Sequence, residues 1–250
     1  MRKWRACVFL VAIILPGAFT ADAARQTAPS KIAEVLQASQ SPLVTFRILI
    51  MTGSAYDPPG KEGLAALTAS MLAQGGTTGK TSSEIVAALY PTAASIAVQV
   101  DKEMTVFFGT THRETLDRYY AVFRDLLLDP GFRPDDFKRI RDNTLNFLRT
   151  SLRESNDEEL GKEYLYNIIY DGSSYGHHSR GKVSSVEKLT LDDVREFYRR
   201  YYTQTNLVIG MAGGYPESFP RRVESDFNER RGCYFIERRE CITSCERSNG

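Results

Sequence analysis

The sequence predicts an α+β fold: a largely antiparallel sheet with helices layered on one face. Three observations carry this. Strand-like segments at 43–51 and 207–212 bracket a hairpin-like pair at 94–100 and 105–109, built around Asp101-Lys102-Glu103. The helical stretches come in runs between these strands, so the regular strand–helix alternation of a parallel sheet is missing. Finally, the apolar period changes from two, as in Ile96, Val98 and Val100, to three to five, as in Phe137, Ile140, Leu145, Leu148 and Leu152.

Each element has its own signal. Residues 1–23 read as a secretory signal, with Arg2, Lys3 and Arg5 before a short apolar run and Ala21-Asp22-Ala23 at the cleavage point. The expected protein is therefore exported and periplasmic. Residues 24–42 are small and polar and read as a mobile linker, with the fold starting at Leu43. Val44, Phe46, Ile48 and Ile50 make a strand, and Asp57-Pro58-Pro59-Gly60 a loop. Glu62 to Gln74 is Ala- and Leu-rich and stops at Gly75-Gly76, the pattern of a buried helix. Ser82 is expected to cap a short helix to Tyr90. Helices are expected at 112–128, 134–154 and 157–170, then a loop from Asp171 to Val186 and a helix opened by Thr190 with Asp192 and Asp193 in its first turn. Leu207 to Ala212 closes the domain, assigned to 43–223. From 224 to 250 charged residues surround isolated apolar ones, with Cys233, Cys241 and Cys245 among them. This reads either as a charged surface tail or as sequence beyond a break in the natural frame, with a second domain lost.

Composition narrows the function. Across 250 residues, 32 Lys and Arg nearly balance 31 Asp and Glu, and the domain has no basic block interleaved with aromatics, so nucleic acid is not the expected partner. No apolar run after Leu15 is long enough for a membrane span. Gly75-Gly76-Thr77-Thr78-Gly79 follows a helix instead of joining a strand to one, so it is a helix stop and not a phosphate loop. No Gly-x-Ser-x-Gly elbow occurs, and the domain has no cysteine nucleophile. Adjacent His177 and His178 are weak metal candidates, because neighbouring side chains seldom converge on one ion; a solvated loop pair is the plainer reading. His112, at a helix start, reads as a capping or surface residue.

The segment Gly53-Ser54-Ala55-Tyr56-Asp57-Pro58-Pro59-Gly60-Lys61-Glu62-Gly63-Leu64-Ala65-Ala66-Leu67-Thr68-Ala69-Ser70-Met71-Leu72 resembles the zinc-site region of the insulinase/pitrilysin metallopeptidase family, which includes the mitochondrial processing peptidase. The likeness continues through Gly75-Gly76-Thr77, the strand pair, Asp129-Pro130-Gly131-Phe132 and Tyr175-Gly176, covering about 43–223. The resemblance places Ala66 and Ser70 where two zinc-binding histidines belong, and Ala69 where the family's general-base glutamate belongs. A further glutamate ligand is implied between Asn143 and Arg153, where no acidic residue occurs. The resemblance therefore implies no catalytic residue and no zinc in this chain. It implies a non-catalytic subunit that helps a related, zinc-bearing peptidase subunit enclose an unfolded peptide. The alternative is an exported metal-dependent peptidase with a rebuilt site, using His177, His178 and a carboxylate such as Asp171.

Overall fold

A computed structural model of the chain describes residues 32–229. One mixed sheet holds five strands: β1 (Ala33–Ala38), β2 (Leu43–Ile50), β3 (Ala97–Val100), β4 (Thr105–His112) and β5 (Leu207–Gly213). Their order is β1-β5-β2-β4-β3, and every pairing is antiparallel except β1 with β5. Alternation sets the register. Val44, Phe46, Ile48 and Ile50 all turn to the buried face, and Ile48 lies between Ile209 and Phe107, so three apolar rows meet the helices together. Phe46 packs there against the rings of Tyr119, Tyr120, Phe123 and Phe219.

The helices are α1 (Leu64–Gln74), α2 (Ser82–Leu89), α3 (Leu116–Leu128), α4 (Pro134–Asn146), α5 (Leu152–Glu154), α6 (Asp157–Ile169), α7 (Val183–Val186), α8 (Leu191–Tyr201) and α9 (Phe219–Glu229). Helix α8 begins as expected: the Thr190 hydroxyl accepts from the Asp193 N–H, and the Asp193 carboxylate accepts from the Thr190 N–H. At α2 the cap is Thr81, one residue before the expected Ser82, because Thr81 forms the reciprocal pair with Glu84. His112 caps as read, accepting from the Glu114 N–H.

Beyond shifts of a few residues at the ends of β3, β4 and α3, four assignments differ from the sequence reading. The second half of the linker assigned to 24–42 is strand β1, with Ile32 already buried beside it. Its signal was missed because β1 is an edge strand exposed along most of its length, so its residues show no alternation. The helix expected at 134–154 is α-helical only to Asn146 and widens into a π-helical turn at Phe147–Ser151 before the short α5. The domain does not end at 223, since α9 runs on to Glu229 with Val223 and Phe227 fully buried. Within the loop read from Asp171 to Val186, Val183–Val186 is helical. The segment 1–23 read as a signal, the three tail cysteines and residues 230–250 lie outside the described residues.

Candidate functional site

Helix α1 is fixed at its N-terminus by Asp57. The Asp57 carboxylate accepts from the Gly63 and Ala65 N–H groups, each at 2.7 Å, in the way an N-capping side chain satisfies a first turn. Gly63 sits at φ 100, a conformation only glycine adopts without strain. A Cβ there would lie 2.6 Å from the Arg180 carbonyl oxygen, so this glycine also lets the 177–181 loop close onto the start of α1.

The consequence is a cleft of about 630 Å³ beside α1. Ala66, Ser70 and Gln74, four residues apart, form one wall, and Asn143, Thr144 and Phe147 from α4 and the π-helical turn form the facing one. The free outer strand β3 lines a third side through Val98, Gln99 and Val100, and the loop adds His178 and Arg180. Two of the expected positions and the region expected to supply a distal ligand are thus brought together. Ala69 is not part of this wall. It is fully buried in the core, where the packing has closed over it.

The two histidines are buried, at 4% and 7% exposure, and are not the solvated pair the sequence suggested. They point apart. His177 Nδ1 donates to the His178 carbonyl oxygen, leaving Nε2 4.0 Å from Asp57. His178 Nδ1 accepts from the Arg180 N–H, which leaves the proton on Nε2, 3.6 Å from Glu159. The carboxylate beside His178 is therefore Glu159; Asp171, named for that part in the alternative reading, is exposed. Burial pushes both imidazoles below their ordinary pKa, and the same desolvation raises Asp57 to about 7 despite its two backbone hydrogen bonds.

This donor set does not suit zinc. At the positions facing each other across α1 and α4 the cleft offers a hydroxyl at Ser70 and neutral side chains at Asn143 and Thr144, and its one imidazole, His178, and one carboxylate, Glu159, fall short of the three protein ligands a zinc site needs. Among the described residues, no three or more His, Cys, Asp or Glu side chains come together to hold a metal ion.

The family model for insulinase (peptidase family M16) matches residues 34–182. The chain belongs to the insulinase family. Among its relatives, an uncharacterized zinc protease YmxG of Bacillus subtilis is 22% identical over 184 residues, covering 74% of this chain and 44% of that protein. The mitochondrial-processing peptidase subunit beta of Dictyostelium discoideum is 21% identical over 166 residues, covering 66% of this chain and 35% of its own. A solved structure titled a peptidase M16 inactive domain, from Pseudomonas fluorescens, superimposes with a TM-score of 0.73 at 22% identity, over 81% of this chain and 50% of the other. The chain thus spans half or less of the length of these family members.

Sequence reading missed Asp57, Arg180, Gln99 and the Phe147 turn as parts of the site. Asp57 was visible only as a turn former. A signal was present, since the helix after it begins at glycine with no Ser, Thr, Asp or Asn of its own to cap it.

Proposed function

We propose that this insulinase-family domain is a non-catalytic subunit that helps form a peptide-enclosing chamber with a related zinc-bearing subunit. The observation that carries the reading is the cleft: it keeps its walls, while Ala66 and Ser70 stand where the resemblance places metal ligands. The edge of β3 supports the peptide part, because a free strand edge beside a cleft offers backbone N–H and C=O groups to an extended chain. A further fact supports a partner: helix α6 has no fully buried residue although it carries Tyr164, Leu165, Ile168 and Ile169. Zinc then belongs to the partner, and the reading of 1–23 as a secretory signal supports an encounter in the periplasm.

The test is sedimentation of the full chain with a zinc-bearing family member from the same cell, with and without an unfolded peptide. A complex that carries zinc only on the partner is the expected result. A monomer that ignores both protein and peptide would overturn the reading.

A further inference from the structure

Arg180 is the one full cation on the cleft wall among the described residues. Its guanidinium lies 3.9 Å from the centroid of the Phe147 ring, flat-stacking distance, and His178 flanks the same ring at 5.9 Å. Among the described residues its guanidinium has no carboxylate within ion-pairing distance, unlike those of Arg124, Arg139, Arg149, Arg195 and Arg222. The single acidic residue lining the cleft, Glu159, is placed at the His178 imidazole and acts on Arg180 only from beyond ion-pairing distance. Around Arg180 the cleft presents neutral hydrogen-bonding groups, Gln74, Gln99, Asn143 and Asn156, which can hold a peptide backbone without charge preference.

We propose that the cleft reads a carboxylate on the bound peptide, with Arg180, held on Phe147, as the group that receives it. Stacking fixes the plane of the guanidinium, so less freedom is lost when its N–H fork pairs with a carboxylate, and the partly enclosed site strengthens each charge-assisted bond. The cleft thereby replaces a metal-ligand chemistry with an anion-binding one. The carboxylate is an acidic side chain or the chain end, and the inference rests on the peptide-enclosing reading above.

Four fluorescein-labelled decapeptides separate the sources: one flexible sequence with a central Glu or Gln, each as free acid or as C-terminal amide. Anisotropy with the full chain at low salt is expected to give about tenfold tighter binding for a carboxylate over its neutral counterpart, the arm that shows it identifying the source. Arg180→Gln should bring the ratio close to one, and Arg180→Lys should restore only part of it. If Arg180→Gln does not fold, Phe147→Leu, which removes the platform and keeps the charge, should reduce the ratio. Equal binding of all four peptides overturns the carboxylate inference and leaves the peptide reading standing. Binding of none overturns both.

Discussion

Asp57 illustrates how one buried side chain sets the state of a site. Two backbone N–H bonds favour its charged form, and desolvation favours the neutral one; desolvation is the larger effect and carries it to about 7. Between about pH 4 and 7 the folded chain then holds a proton that the unfolded chain has released, so this residue makes stability fall as pH rises through that window, by up to about 4 kcal/mol. His177 and His178 act in the opposite sense. Their pKa values are lowered, so below about 6.5 the unfolded chain binds protons that the folded one does not, and stability rises with pH there. Asp57→Asn should therefore leave a melting temperature that climbs from pH 5 to 7.5, with the gap between wild type and variant narrowing or reversing against wild type; a parallel pair of curves would count against the assignment. Ala69 supports a second test. Ala66→His, Ala69→Glu and Ser70→His together should yield neither stoichiometric zinc nor peptidase activity and should lower stability, because position 69 is sealed in the core and no acidic residue occupies 143–153. Robust activity would show that the core opens and that a fourth ligand exists elsewhere.

At the scale of elements, what could be read in advance depended on whether a signal was local. The alternation of β2, the Thr190 box and the Gly75-Gly76 stop are each written within a few residues, and each element stands where it was expected. Strand β1 is defined by a partner more than 170 residues away, and nothing inside Ala33–Ala38 announces the pairing. Arg180 and Asp57 acquire their roles the same way, through the docking of the 177–181 loop on the 57–63 turn. Gly181 permits this docking together with Gly63: it lies at φ +85, where a Cβ would lie 2.1 Å from the Glu62 carbonyl oxygen. Gly172 has a similar φ, +74, with nothing near its missing Cβ. Gly172→Ala should thus cost only the left-handed conformation, about 1 kcal/mol. Gly181→Ala must also push two backbones apart and should cost at least ~2 kcal/mol more, read from denaturant midpoints. Equal effects would mean that the loop contact is slack.

Over the whole molecule, the helix layer covers one face of the sheet and leaves a helix uncovered. Helix α6 spans 13 residues and none is buried; Tyr164 is 70% exposed, Leu165 55%, and Ile168 and Ile169 59% each. Half-exposed side chains of this size give a patch on the order of 400 Å² or more, the size at which an apolar surface marks an interface. A standard interface needs about 800 Å² from each side, so α6 supplies a large share of one and the cleft rim next to it can supply more. Asn156 and Glu159, at the start of the same helix, line that cleft, so a subunit seated on α6 would also cover the peptide site. The reading that association and enclosure are one event therefore predicts a coupled loss. Leu165→Glu with Ile168→Glu, both on exposed positions, should leave the melting temperature of the isolated chain nearly unchanged. The same pair should abolish co-sedimentation with the zinc-bearing relative, because two carboxylates cannot be buried in an apolar contact without partners. Peptide binding by the chain alone should persist, while the gain in peptide affinity on adding the relative should vanish. If the double variant still associates at wild-type strength, the partner sits elsewhere and α6 is a solvent-facing helix of the chamber wall.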